Sequence, residues 1–253
     1  MNNLTTLQQS ASEQWQAFVD NSKPIVFIGM GTCGIAAGAD KVLKKVQSLI
    51  ETKKLDVQIV KVGCIGPCYL EPLLDVKMPG KVRLCFNNVD EDKVERIFEQ
   101  YVFADDPKMK PIGHLGKRDE VLDGVKSFWE MPMLKNQTRI VLKNCGLIDP
   151  ENISHYVANG GFIGLQKALS GTPEDVIEEV KKSGLRGRGG AGFPTHMKWK
   201  FCRDAKGSPK YLICNADEGD PGAFMNRSLM EGDPFSLIEG MIIAAYAIGA
   251  NHG

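Results

Sequence analysis

The segment Ser183-Gly184-Leu185-Arg186-Gly187-Arg188-Gly189-Gly190-Ala191-Gly192-Phe193-Pro194-Thr195 holds five glycines in nine residues, at 184, 187, 189, 190 and 192. That density frees the backbone to turn its amide N–H groups toward one ligand. Arg186, Arg188 and Lys198 add the positive charge that a phosphate attracts. The guest such a loop suits is anionic and planar; the plainer alternative is a surface loop with solvated arginines. Gly187, Gly189 and Gly192 also satisfy G-x-G-x-x-G. The dinucleotide fingerprint, however, needs a strand before its first glycine and a helix after its last. Here a well-signalled helix precedes the loop and Pro194 interrupts the segment after it, so a different glycine loop is in play.

A second candidate is Asn215-Ala216-Asp217-Glu218-Gly219-Asp220-Pro221-Gly222. Its carboxylates at 217, 218 and 220 can accept hydrogen bonds from sugar hydroxyls or bind a hard cation through oxygen. The EF-hand spacing is absent, and a solvated acidic turn is the plain alternative. The third candidate is sulfur. Seven cysteines stand at 33, 64, 68, 85, 145, 202 and 214, and residues 1–20 lack the basic-then-apolar pattern of a secretory signal. Free thiols or metal ligands in a cytoplasmic protein are therefore expected rather than structural disulfides. No Cys-x-x-Cys is present, which argues against a stand-alone disulfide reductase.

These residues need a scaffold, and 253 residues suffice for two modest domains. Lys and Arg together number 31, as do Asp and Glu, so the basic excess of a nucleic-acid or anionic-membrane binder is missing. The longest apolar run, 241–250, is well short of the ~20 residues of a membrane helix. Pattern and punctuation predict a short helix at 12–20, a buried strand at 24–29, a helix at 36–52 and a strand at 57–62. Strands at 73–78 and 81–86 come next, joined by the turn dipeptide Pro79-Gly80, and then a helix at 91–102. The order βαββα describes a small thioredoxin-like sheet with helices on its faces, assigned to a first domain at 1–105. Residues 106–140, with Pro107, Pro111 and Pro132 among charges, read as a linker, and 139–142 as a strand. A helix at 173–182 is signalled by Thr172, Pro173, Glu174 and Asp175 at its start and Lys181-Lys182 at its end. A strand at 211–214 and a last helix opened by Asp233-Pro234 complete the reading. The acidic turn then sits at the carboxyl end of a strand, where open α/β sheets place their ligand crevice.

The run from Gly184 to Thr195, with Lys198-Trp199 after it and Asn215-Ala216-Asp217-Glu218 beyond, closely resembles the NADH-binding flavoprotein subunit of respiratory complex I. The same motif resembles the related subunits of soluble NAD-linked hydrogenases and formate dehydrogenases. The resemblance covers roughly residues 140–253, and the preceding domain looks like the thioredoxin-fold ferredoxin extension of the hydrogenase-type relatives. It implies an α/β chain whose residues 141–253 form the first portion of a Rossmann-like FMN/NADH-binding domain. It also implies FMN held by Gly187, Arg188, Gly189, Gly190 and Lys198, with Asn215, Asp217 and Glu218 on the other wall. Phe193 and Phe201 match positions that stack on the NADH adenine, and Asp220 stands where many members have Glu. NADH would then be oxidised through FMN and electrons passed singly to iron–sulfur clusters. The partners would be a ferredoxin-like small subunit and an iron–sulfur or catalytic subunit. The competing reading is a non-catalytic docking or assembly module with an inert flavin domain.

The pattern departs from the family in two places. The resemblance implies a [2Fe–2S] cluster on four thiolates in the first domain. Cys64 and Cys68 match one pair and Cys33 one member of the other, while the earlier partner is replaced within Phe27-Ile28-Gly29-Met30. Cys85 is a remote candidate for the fourth. The family's remaining flavin wall, a third adenine-stacking aromatic and four cysteines for a [4Fe–4S] cluster are expected beyond residue 253.

Overall fold

The computed structural model describes residues 2–104, 108–118 and 120–253. The expected boundary between residues 105 and 106, together with Pro107, lies outside the described residues. Contacts divide the chain into two compact units, residues 1–158 with 227–233 and residues 159–226 with 234–253.

The first unit opens with α1 (Asn2–Val19) and is centred on β1 (Ile25–Gly29), every residue of which is buried. β1 pairs in parallel with β2 (Gln58–Val62), Ile25 opposite Gln58 and Gly29 opposite Val62. A parallel pair requires a crossover, supplied by α2 (Thr32–Ala37) and α3 (Ala39–Lys53). The single helix expected over 36–52 is thus two helices. Gly38, at φ +107°, ends one and starts the next in a conformation that residues with a Cβ rarely adopt. β3 (Leu74–Lys77) runs antiparallel to β1, and β4 (Leu84–Phe86) antiparallel to β3, giving the order β2-β1-β3-β4 of a thioredoxin-like sheet. The helix α4 (Glu91–Ile97), capped by the Asp90 carboxylate on the Lys93 N–H, continues as a π-helical turn over Phe98–Phe103. Val26, Ile28, Val42, Val46, Leu74, Phe86, Ile97 and Phe98 form the core that these elements share.

Within the stretch expected as a linker, the described residues 108–118 and 120–140 include short strands. β5 (Gly113–His114) adds a fifth strand beside β4, and β6 (Val121–Leu122) pairs with β7 (Val125–Lys126). Phe128 and Leu134 are buried with Ile65, Leu70, Leu73 and Cys85. The strand expected at 139–142 does not form. Arg139 instead donates to the carbonyls of Ile65 at 2.6 Å and Leu142 at 2.7 Å, which folds the segment into turns. Up to residue 158 the unit ends with α5 (Ile153–Ala158), which packs on α1, and residues 227–233 complete it.

The second unit is built from α6 (Ile163–Ser170), α7 (Pro173–Lys182), α8 (Thr195–Asp204) and α10 (Pro234–Ile248). α7 has the predicted start and end. Thr172 and Asp175 form a reciprocal capping box, with Asp175 N–H to Thr172 Oγ1 at 3.2 Å and Thr172 N–H to Asp175 Oδ2 at 2.8 Å. Ala168, Val176, Ile177 and Ala247 form its core, with Trp199, Ile243 and Tyr246 against them. The buried Glu239 carboxylate on α10 accepts from the N–H groups of Phe162 and Leu165 at the start of α6, satisfying donors that a helix leaves unpaired. The strand expected at 211–214 is reduced to one bridge between Tyr211 and His252. Ile213 is 83% exposed, and among the described residues no neighbouring strand supplies the ladder that would hold it. A helix not anticipated from the pattern, α9 (Met225–Gly232), precedes α10. No described helix is long and apolar enough to cross a membrane.

Candidate functional site

The glycine loop leaves α7 through Gly184, at φ +68°. Three interactions pin its neck: Gly187 N–H to Phe193 O at 2.8 Å, Thr195 N–H to Leu185 O at 3.1 Å, and Arg186 Nε to Gly192 O at 2.6 Å. Arg186 thus uses its Nε–H to hold the loop. Between the pinned ends, Gly190 takes φ +96°, and no protein atom lies within 4 Å of a β-carbon placed at Gly189 or Gly190. Backbone amides at such a bend are accessible to a ligand as large as a phosphate.

The acidic turn faces the same space. A cavity of about 730 Å³ is lined by Arg188 and Gly189 of the loop and by Asn215, Glu218, Asp220 and Asn226. Its volume falls within the range of pockets that take cofactors. Asn215 Oδ1 accepts from Asp217 N–H at 3.1 Å and shapes the turn. Glu218 sits at φ +50°, a strained setting for a residue with a Cβ, and its Oε1 accepts from Asn226 N–H at 2.7 Å. Of the sequence-predicted residues, the structure thus brings Arg188, Gly189, Asn215, Glu218 and Asp220 to one cavity. Gly187, Gly190, Lys198 and Asp217 are not among its lining residues. Phe193 and Phe201 pair with each other at one end and on one face of α8, ring centroids 6.4 Å apart and tilted by 47°. They stay 41% and 58% exposed, so the apolar surface of both rings is available to a stacking partner. Sequence reasoning missed Asn226 and its neighbours Phe224 and Met225, which also line the cavity. Their position directly after Pro221-Gly222 was the available signal.

Three of the seven cysteines converge. Cys33 lies in the first turn of α2, Cys64 lies in the loop after β2, and Cys68 opens the 3-10 turn at Cys68–Leu70 that follows. The Sγ atoms of Cys64 and Cys68 are 3.5 Å apart, those of Cys68 and Cys33 3.2 Å, and all three lie within 4.8 Å of one another. Gly34 lets α2 come this close, because a β-carbon there would stand 2.2 Å from Gly29 O. Burial, reinforced by the two neighbouring sulfurs, pushes the Cys64 thiol far above its ordinary range. Burial also raises Cys68. Arg227 Nη2 reaches 3.7 Å from Cys33 Sγ, and the Glu231 carboxylate accepts from Thr32 N–H at 2.9 Å and from its hydroxyl.

The four thiolates of a [2Fe–2S] cluster are not assembled among the described residues. Cys85 is fully buried in β4 beside Asp75, Cys145 Sγ points to Ser228 O at 3.6 Å, and Cys202 and Cys214 belong to the second unit. The position of the earlier partner falls where β1 buries Phe27 and Ile28 in two core clusters. Three sulfurs therefore do not fit a two-iron cluster held by cysteine alone.

Residues 180–253 match the family of the Nuo51 FMN-binding domain. The NADP-reducing hydrogenase subunit HndC of Solidesulfovibrio fructosivorans is 56% identical over 119 residues, 47% of this chain and 24% of that protein. A subunit of an NADH-quinone oxidoreductase of Rhizobium meliloti is 56% identical over 112 residues, 44% of this chain and 27% of that protein. The matched stretch thus spans about a quarter of the length of these curated relatives. A solved thioredoxin-like [2Fe–2S] ferredoxin from Aquifex aeolicus aligns over 38% of this chain and 96% of its own, at 18% identity and a TM-score of 0.32.

Proposed function

We propose that this chain supplies one wall of the FMN and NADH site of an electron-input flavoprotein subunit, which oxidises NADH and delivers single electrons to the iron–sulfur clusters of a larger oxidoreductase complex. The observation that carries this reading is the shared cavity, in which Arg188 and Gly189 of the glycine loop face Asn215, Glu218 and Asp220 of the acidic turn. The match of residues 180–253 to an FMN-binding domain supports it, as do relatives named as subunits of NADH-quinone oxidoreductases and hydrogenases.

FMN, when bound, supplies the conversion of a two-electron hydride donor into one-electron traffic. The chain contributes binding and orientation. The amides of 188–190, with the Arg188 charge, would hold the phosphate, the Gly187 N–H being engaged by Phe193 O and the Lys198 charge acting from outside the cavity lining, since N–H dipoles and a cation favour an anion without demanding a proton. Asn215 and Glu218, which line the cavity, would accept hydrogen bonds from the sugar-like hydroxyls of the cofactor, with Asp217 between them in the same turn. Phe193 and Phe201 would offer their faces to the adenine of NADH, and Asp220 would serve its nicotinamide side. No side chain of the chain is assigned as a general acid or nucleophile in this reading. The partners in this reading are a ferredoxin-like small subunit and an iron–sulfur catalytic subunit, in a cytoplasmic complex consistent with seven unpaired thiols.

The test is competition at the phosphate cradle in the complete subunit. FMN fluorescence should be quenched on binding, and riboflavin, which lacks the phosphate, should bind much more weakly. Equal affinity for the two would remove the glycine loop from the assignment.

A further inference from the structure

We propose that Cys33, Cys64 and Cys68 form a site for a single thiophilic divalent cation, of the zinc class, with a fourth coordination position open to solvent. This site is separate from the flavin reading and stands or falls without it.

The argument rests on sulfur spacing. Thiolates sharing one tetrahedral ion at ~2.3 Å lie roughly 3.8 Å apart. The Sγ separations of 3.5 Å and 3.2 Å are those of thiols hydrogen-bonded to one another and are shorter than that spacing, with the third no more than 4.8 Å, so seating one ion asks the three side chains to open only slightly. Thiolates on opposite irons of a two-iron cluster stand farther apart, because the iron–iron vector is added to their separation. A two-iron cluster also needs two protein ligands on each metal, and no fourth cysteine joins this group among the described residues. The donor set is all sulfur, which selects zinc-like ions over magnesium or calcium. Cys33 and Cys68 are half-buried while Cys64 is buried, so solvent reaches the group on the side of the first two. Three protein ligands with one open position is an arrangement that zinc adopts readily.

The surroundings belong to such a site. Gly31 carries no Cβ where one would stand 3.0 Å from Cys64 N and 3.3 Å from its Cβ, so the first loop closes directly on the second. Glu231 ties down Thr32, the residue before Cys33, and Arg227 donates to the Cys33 sulfur. These are the outer contacts that fix a ligand's orientation. Binding is an exchange without change of oxidation state: three S–metal bonds form as three S–H bonds lose their protons to solvent. The ion would clasp the start of α2 to the loop after β2, the two segments that the parallel β1–β2 pair brings side by side.

The complete chain, purified anaerobically with chelator and thiol reductant and then freed of both, is titrated with Co²⁺ as the spectroscopic probe. The expected result is one equivalent of cobalt per chain. Near-ultraviolet thiolate-to-cobalt absorption and intense red d–d bands should report tetrahedral sulfur coordination, and Zn²⁺ should displace the cobalt. C33S, C64S and C68S should each weaken cobalt binding beyond the roughly 10- to 100-fold lost with an outer-shell partner. C85S and C214S should leave it unchanged, and a far-UV dichroism spectrum like that of the parent distinguishes lost ligation from lost folding. Azide added to the cobalt form should shift the d–d bands by taking the open position. The proposal is overturned by iron–sulfide reconstitution that yields two irons and two acid-labile sulfides per chain bound through these cysteines. It is equally overturned if three titratable thiols show no cobalt absorption, or if mass spectrometry finds a Cys33–Cys68 disulfide in the reduced-purified chain.

Discussion

Glu218 accepts a hydrogen bond at 2.7 Å from the backbone N–H of Asn226, so the acidic turn beside Arg188 also caps the start of α9. One carboxylate thereby has two duties. It satisfies a donor that the first turn of a helix leaves unpaired, and it presents charge to the cavity. The strained φ of +50° at this residue is the cost of placing the carboxylate there.

Separating the two duties gives the first prediction. Glu218→Gln keeps an oxygen acceptor for Asn226 and should leave thermal stability nearly unchanged while altering flavin affinity. Glu218→Ala loses the cap as well and should cost about 0.5–2 kcal/mol, the range for removing a capping acceptor. Thermal unfolding of the two variants side by side is the check, and equal losses of stability would deny the capping role.

Arg188 is the charged loop residue that lines the cavity, whereas Arg186 is engaged with Gly192 O. Arg188→Ala in the complete subunit should lower FMN affinity roughly ten- to hundredfold, as expected for a lost hydrogen bond to a charged group of about 1.5–3 kcal/mol. Normal flavin occupancy in this variant would place the phosphate elsewhere.

Phe193 and Phe201 should act on the nicotinamide dinucleotide rather than on the flavin. Phe193→Ala should raise the KM for NADH roughly two- to tenfold, in keeping with the loss of one aromatic contact, with FMN content retained. A variant with an unchanged KM and lost flavin would assign the ring to the wrong cofactor.

Glu71 offers a prediction in pH. Burial raises its carboxyl from 4.5 to about 7, with the nearby Asp75 charge adding to the effect and the Leu73 N–H opposing it. Between these two values the folded chain holds a proton that the unfolded chain has released. Stability should therefore fall as pH rises from about 4.5 to about 7, and level off above. Glu71→Gln keeps the acceptor for Leu73 N–H and removes the ionisation. It should be more stable than the parent at pH 7.5, with the difference vanishing near pH 4. Melting temperatures across that range test it, and parallel curves for the two proteins would contradict it.

The elements legible in the sequence were those that local chemistry determines. α7 was legible because Thr172, Pro173, Asp175 and Lys181-Lys182 all act within a turn of their own positions. β1 was legible because a short apolar run ends in glycine. The segments 139–142 and 211–214 have strand-like composition, but a strand exists only with a neighbour. Arg139 turns the first away, and the second has only the Tyr211–His252 bridge. α9 escaped notice because its start depends on the Glu218 carboxylate eight residues upstream. The site divides along the same line. Composition marked the glycine loop and the acidic turn separately, while their meeting in one cavity is a property of the folded chain. Likewise Cys64 and Cys68 are neighbours in sequence, but Cys33 reaches them only through the parallel register of β1 and β2.

The central claim is that Arg188, Gly189, Asn215, Glu218 and Asp220 line a flavin site that NADH reduces. It is tested most directly by an anaerobic absorbance spectrum of the chain purified with its native neighbours, with flavin quantified on the same sample before and after NADH is added. The account predicts bound FMN whose visible absorption bleaches on adding NADH, and loss of that absorption in the Arg188→Ala variant. A complex with no flavin, or flavin that stays oxidised in excess NADH, would contradict it.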